Sequence, residues 1–236
     1  MLLELKDVSI SYGTAMAVKD VNIHVEEKSV VSIIGANGAG KSTILKGITG
    51  LVHLKSGEIW FQGQKISGLP THKIVARGVV HVPEGKTPFP YMSVMANLKL
   101  GAFLRKDKDG IKKDFESVMQ IFPRLKDRLK QKAGTLSGGE QKMLAIGRGL
   151  MGNPTILMLD EPSLGLSPIM IEGIAVAIKT INSKGISVLL VEQNAGLVLS
   201  VAERGYVIEV GSVVLEGNIR ELMSNRLVQK AFLGED

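Results

Sequence analysis

Three runs of consecutive apolar residues divide the chain. Ser29-Val30-Val31-Ser32-Ile33-Ile34 ends at a glycine, Thr155-Ile156-Leu157-Met158-Leu159 ends in two acids, and Ile186-Ser187-Val188-Leu189-Leu190-Val191 is the third. Apolar runs without alternation predict strands covered on both faces, as in a parallel sheet. Helical patterns lie between them. Ser42 to Gly50 follows the first run, and Ile171, Ile174, Ile178 and Ile181, after Pro168, join the second to the third at helical spacing. Strand, helix and strand in this rhythm predict an α/β fold. Other segments alternate: Leu3 to Lys6, Val21 to Val25, Glu58 to Phe61 and Val213 to Glu216 read as half-buried antiparallel strands. The stretch 91–133 reads as helices only. In it Ile111, Phe115, Val118, Met119 and Phe122 share one helix face, which Pro123 then ends.

Composition narrows the class. Of 236 residues, 44% are hydrophobic and 22% charged, ordinary for a chain with a real core. There is no cysteine, which excludes disulfides, a thiol nucleophile and thiolate metal sites. No apolar run approaches the roughly 18 residues that span a bilayer. The start, MLLELKDVSISYG, lacks the basic and apolar regions of a secretion signal, so an intracellular protein is expected. Net charge is +6, and residues 99–132, with eleven Lys/Arg against five Asp/Glu, carry all of it. That segment has no stacking pattern of aromatics, so nucleic-acid binding is not expected. It reads either as a solvated basic face or as a patch toward a membrane surface or acidic partner.

The chemistry is concentrated in three places. Gly35-Ala36-Asn37-Gly38-Ala39-Gly40-Lys41-Ser42 fits the phosphate-loop pattern G-x-x-x-x-G-K-[ST], and it follows a strand-like run and opens a helix. Glycines let successive N–H groups curl around phosphate oxygens, and the helix adds the positive end of its dipole. Lys41 then neutralises phosphate charge and the Ser42 hydroxyl ligates Mg²⁺. Asp160-Glu161 closes a buried strand, which is costly for two acids unless something pairs with them. Beside a phosphate loop, Asp160 is expected to hold Mg²⁺ and Glu161 to polarise the attacking water. Leu136-Ser137-Gly138-Gly139-Glu140-Gln141 reads as a helix start, with Ser137 as N-cap and Glu140 as its capping-box partner. Its two glycines also leave N–H groups free at a positive helix end, an anion site.

Taken together, the phosphate loop, Leu-Ser-Gly-Gly-Glu-Gln and Leu-Asp-Glu-Pro resemble the ATPase subunits of ABC transporters, over essentially the whole chain. The resemblance implies the ABC ATPase fold: a P-loop NTPase core, an antiparallel β subdomain, and a helical subdomain at about 86–150 inserted in a single domain, 1–236. It implies ATP and Mg²⁺ as cofactors. ATP would contact Tyr12, which matches the family's adenine-stacking aromatic, the loop 35–42 and Thr43. It further implies two subunits that sandwich two ATPs, the Ser137, Gly138, Gly139 and Glu140 segment of one completing the site of the other. Val82-Pro83-Glu84-Gly85, Phe122-Pro123-Arg124-Leu125-Lys126, Ser163-Leu164-Gly165-Leu166-Ser167-Pro168 and Val191-Glu192-Gln193-Asn194 resemble, as a set, the second of the two ATPases of branched-chain amino-acid importers. That resemblance implies a paralogous ATPase or a second copy as partner, two membrane permeases, an external substrate-binding protein, and a place on the inner face of the cell membrane. A cassette for another cargo (urea, amide or lipid-type), or a non-transport ABC ATPase, is the alternative.

Three positions depart from the family's general pattern. Glu84 stands where a glutamine usually touches the metal, Gln193 where a histidine usually meets the γ-phosphate, and Ser167 where an aspartate is usual. Gln193 can donate a hydrogen bond but cannot carry a proton. The expectation is that Lys41, Glu161 and Gln193 carry the chemistry, that Ser42, Asp160 and Glu84 face the metal, and that the site on this subunit's phosphate loop binds ATP well but hydrolyses it more slowly than its partner site.

Overall fold

The computed structural model of the protein describes residues 1–85, 88–225 and 228. Its strands are β1 (Leu3–Tyr12), β2 (Ala15–Val25), β3 (Val30–Ile34), β4 (Ser56–Phe61), β5 (Gln64–Lys65), β6 (Val79–Val82), β7 (Ile156–Asp160), β8 (Ser187–Glu192), β9 (Arg204–Glu209) and β10 (Ser212–Asn218). Its helices are α1 (Lys41–Ile48), α2 (Thr71–Ala76), α3 (Val94–Gly101), α4 (Lys108–Ile121), α5 (Pro123–Lys126), α6 (Gly138–Leu150), α7 (Pro168–Ser183), α8 (Ala195–Val201) and α9 (Ile219–Ser224). A six-stranded sheet in the order β10-β9-β3-β8-β7-β6 packs against a four-stranded antiparallel sheet ordered β2-β1-β4-β5.

The three apolar runs are β3, β7 and β8, adjacent and parallel in the larger sheet and buried at every position. Their side chains still divide by period two. Val30, Ile34, Leu157, Leu159, Val188 and Leu190 face the helices. Val31, Ile33, Ile156, Met158, Leu189 and Val191 face the small sheet, where they meet Leu5, Ile10, Ile23 and Phe61. Both faces are apolar because each has its own layer to cover it. The period alone cannot reveal this, since alternation needs one wet face.

The alternating segments near the N-terminus lie in β1, β2 and β4 of the small sheet. The last one, Val213 to Glu216, differs. It lies in β10, which is antiparallel to β9 at the edge of the large sheet. Strand β6 is also in that sheet, parallel to β7, and no sequence pattern marked it: it has four residues and His81 interrupts its apolar run.

Between β6 and β7, the described chain holds α3, α4, α5, a short 3-10 turn at Ala133–Thr135 and α6, with one isolated bridge, Ser93 to Lys132. On α4, Val118 and Met119 are buried, with Phe122 just after it, but Ile111 and Phe115 of the same face are only half-buried. Lys108, Lys112, Lys113, Lys126, Lys130 and Lys132 of the basic segment are exposed. Among the described residues no helix is long and apolar enough to cross a membrane.

Candidate active site

The site is assembled at the C-terminal ends of β3, β7 and β8, where an open parallel sheet leaves its crevice. After β3 the chain passes so close to β9 that a Cβ on Gly35 would lie 2.6 Å from the Ile208 carbonyl oxygen. Gly40 has φ 104° and would place a Cβ 2.5 Å from the Ala17 oxygen. Both positions therefore exclude a side chain, and Gly40 delivers the chain into α1 from a left-handed turn. Ala17 belongs to the hairpin that carries Tyr12, so this contact draws the hairpin alongside the loop; Tyr12 itself ends β1 half-exposed. The carbonyl of Ala39 accepts the Gly211 N–H at 3.0 Å, which ties the loop to the β9–β10 turn.

Lys41, at the first position of α1, is buried. Its Nζ donates to the carbonyls of Gly35 (2.8 Å) and Ala36 (3.0 Å) and lies 3.3 Å from Glu161 Oε1. Next to it the Ser42 hydroxyl donates to Asp160 Oδ1 at 2.9 Å. Thr43 follows, half-buried, in the first turn. Burial pushes the Asp160 carboxyl up, and Glu161 and Glu84 push the same way against the Ser42 hydrogen bond and Lys46. Glu84 lies exposed in the loop after β6, near enough to Asp160 to be felt.

A hydroxyl and a carboxylate already aimed at each other are hard oxygen donors that suit Mg²⁺. No group of three or more His, Cys, Asp or Glu able to hold a metal occurs among the described residues. Two such donors would supply only a small share of an ion's ligands, as in magnesium sites that share the ion with phosphates. A carboxyl raised above its ordinary 3.8 stays protonated to higher pH, so the proton competes with the metal over a wider range. Apparent Mg²⁺ affinity for the ATP complex is expected to fall on acidification, beginning at a higher pH than an ordinary carboxylate would give. Titrating Mg²⁺-dependent nucleotide binding against pH, beside Asp160→Asn, checks this: the variant should show weaker binding and lose that part of the pH dependence.

Glu161 follows β7 with φ 45°, a left-handed backbone that costs a non-glycine residue about 1–3 kcal/mol. Its N–H donates to the Val191 carbonyl at 2.9 Å, so the neighbouring strand holds the turn. Gln193 Nε2 donates to Glu161 Oε1 at 2.8 Å and also to Asn37 Oδ1 of the loop. The Oε1 atom is therefore occupied by Lys41 and Gln193. Among the described residues Oε2 makes no hydrogen bond.

Ser137 is the N-cap of α6, and the expected capping box is complete. Its hydroxyl accepts the Glu140 N–H at 3.3 Å, and Glu140 Oε2 accepts the Ser137 N–H at 2.9 Å. Burial pushes the Glu140 carboxyl up, but the Ser137 N–H and hydroxyl together with Arg128 and Arg124 outweigh it, and the net shift is downward. With Oε1 3.1 Å from Arg128, Glu140 spends its carboxylate on shaping the helix end. A Cβ on Gly138 would meet nothing, so its side of the turn is open. Among the described residues no hydrogen bond joins the segment 137–140 to the phosphate loop.

Three residues with chemical consequence went unmarked. His81 sits beneath Asp160, with Nε2 3.9 Å from Oδ2 and no hydrogen-bond partner; burial and Lys46 lower its pKa to about 4, so it stays neutral. Lys142, in α6, brings a buried ammonium within 3.4 Å of the Glu161 carbonyl. Burial lowers its pKa, opposed by Glu84, Glu192, Asp160 and Glu161, which shows four carboxylates around one cation. Glu192 ends β8 almost fully buried. It alone had a signal, because it is an acid closing an apolar strand, as Asp160 is.

A family model described as ABC transporter matches residues 18–164. The chain is 45% identical over 233 residues to the high-affinity branched-chain amino acid transport ATP-binding protein BraG of Pseudomonas aeruginosa, covering 99% of this chain and all of that one. Among solved structures it superposes on MJ1267, an ATP-binding cassette of an ABC transporter in its ADP conformation, at TM-score 0.89 and 28% identity, covering 99% of each chain. It also superposes on the dimeric post-hydrolysis state of the cassette MJ0796 bound to ADP and phosphate, at TM-score 0.83 and 26% identity, over 93% of this chain and 99% of that one.

Proposed function

Since the chain belongs to the ABC transporter family, as an ATP-hydrolysing subunit with the ABC ATPase fold, we propose that it powers uptake of branched-chain or related hydrophobic amino acids. The observation that carries the ATPase reading is the convergence of Lys41, the Ser42–Asp160 pair and the Glu161–Gln193 pair at one sheet end. The observation that carries the cargo is the full-length similarity to BraG.

The loop N–H groups and Lys41 bind the phosphates, the Lys41 ammonium exchanging its carbonyl partners for phosphate oxygens. Ser42 and Asp160, with Glu84 beside them, would hold Mg²⁺, which would supply positive charge against the phosphates. Water then attacks the γ-phosphorus from the side of Glu161 Oε2. The carboxylate takes the proton as the bond to the leaving ADP oxygen breaks. Gln193 holds Oε1, which fixes the carboxylate plane. It stands where a histidine would carry a proton, so in this site Glu161 does the proton work alone. Tyr12 stacks on the base. Gly138 and Gly139 offer N–H groups, with the Ser137 hydroxyl beside them, to the γ-phosphate of a second subunit's ATP. The dimeric cassette among the structural neighbours supports a two-subunit assembly.

The permease partners would dock beside the site. A groove of about 660 Å³ runs between the sheet and the helical segment, with Leu51, Phe89, Leu100, Phe103 and Arg148 among its lining. Phe103 is 80% exposed, and Arg148 stacks on Phe89 while its Nη1 has no partner. Apolar surface with an unpaired guanidinium suits an amphipathic helix that ends in carbonyls or a carboxylate. His81 lines the same groove and sits 3.9 Å from Asp160, so docking there touches the metal ligand's neighbour. The subunit then works on the inner face of the membrane.

The test is reconstitution of the complex that co-purifies with the tagged chain into proteoliposomes. Leucine, isoleucine or valine with its binding protein should raise ATP turnover and drive uptake. Stimulation by urea, amides or lipids but not by these amino acids overturns the cargo assignment.

A further inference from the structure

The carboxylate of Glu192 lies outside the reacting groups, yet it is joined to the backbone on either side of them. It is 2% exposed. Oε1 accepts the N–H of Ser163 at 2.8 Å, and Oε2 accepts the N–H groups of Gln193 at 2.9 Å and Asn194 at 3.0 Å. Ser163 is two residues past Glu161, in the loop after β7, while Gln193 and Asn194 begin the loop after β8. One buried anion therefore gathers three amides from two loops.

Capping of the next helix does not account for this. Asn194 caps α8 with its own side chain, accepting the Leu197 N–H at 2.8 Å. Nor is a charge needed merely to fill the strand end, because burying an anion is costly and a neutral side chain would pack there without that cost. What a carboxylate adds is acceptor capacity on both oxygens, no donor to clash with an N–H, and stronger, shorter bonds to amides. The result is a fixed distance between the two loops. The side-chain bond that spans the same gap is Gln193 Nε2 to Glu161 Oε1, 2.8 Å.

We propose that Glu192 is a positioning residue for hydrolysis, holding the loop after β8 against the loop after β7 so that Gln193 can orient the Glu161 carboxylate. This rests on the assignment of Glu161 and Gln193 to hydrolysis. It acts through Gln193, so it should affect the chemical step and leave nucleotide binding alone.

The test uses the purified transporter complex and four variants: Glu161→Gln as reference, Glu192→Gln, Gln193→Ala and the Glu192→Gln/Gln193→Ala double. Glu192→Gln puts an amide NH₂ against a backbone N–H and is expected to lower kcat about tenfold with KM for ATP within about twofold of wild type, since displacing a reacting group by about 1 Å costs up to a hundredfold. With Gln193 already removed, the same change should cost less than about twofold, because residues acting as a unit are non-additive. Glu192→Asp, which keeps the charge but shortens the arm, should show the same split and serves if the Gln variant fails to fold. An unchanged kcat, an equal loss in both backgrounds, or a rise in KM that matches the fall in kcat overturns the proposal. Glu161→Gln retaining wild-type turnover would instead overturn the assignment beneath it.

Discussion

Glu161→Gln is expected to lower steady-state ATP turnover by about 10²–10⁴-fold while leaving ATP affinity nearly intact. The substitution preserves shape and the hydrogen bond from Gln193 can still reach Oε1, but no group remains to take the proton from water. Gln193 cannot substitute, since its amide has no accessible pKa, and His81 is buried beside Asp160 with its pKa lowered to about 4. The loss should appear wholly in kcat. Because binding survives and cleavage does not, the variant should also collect as an ATP-bound dimer, visible by size-exclusion chromatography with MgATP. Turnover within about tenfold of wild type would assign the base elsewhere.

Lys41→Met should weaken ATP binding by about 10–100-fold, the worth of one charge-assisted hydrogen bond at about 1.5–3 kcal/mol. Methionine keeps most of the apolar stem, so the change is mainly electrostatic. A second effect concerns the nucleotide-free protein. Lys41 Nζ is 3.3 Å from Glu161 Oε1, and both side chains are under one-tenth exposed. Removing one partner of a buried pair leaves an uncompensated charge, at a cost of about 3–5 kcal/mol. The Lys41→Met protein should therefore melt lower than wild type without ligand, and adding Glu161→Gln should recover much of the loss. Calorimetry of the single and double variants decides this. If the second substitution lowers stability further, the Lys41–Glu161 pair carries no such weight.

The motifs of the site were readable because each is local. Gly35 to Ser42 is one turn and one helix start, and the chemistry of its glycines and lysine needs only chain order. The capping box of Ser137 and Glu140 is equally local, and it formed as the spacing implied. The strand ends carrying Asp160 and Glu161 were visible because apolar β-branched and aliphatic runs stop abruptly at acids. What the spacing left open was the use of each group. Glu140 was grouped with the phosphate-facing segment, yet its carboxylate is engaged by Ser137 and Arg128. Gln193 could be seen as a departure from the family pattern, but not as the donor that links Glu161 to Asn37, which lies 156 positions from Gln193 in sequence.

By itself the sequence determined the α/β class, the phosphate loop, the acid-tipped strand and the capped helix, since hydrophobic periodicity and backbone stereochemistry act over a few residues. Only the tertiary structure decided that β6 completes the sheet beside β7, that β10 joins the large sheet and not the small one, and that His81, Lys142 and Glu192 surround Asp160 and Glu161. Those outcomes depend on which layers cover which faces and on charges brought together from distant segments. Burial and Coulomb energy are properties of that assembled neighbourhood, and no window along the chain contains them.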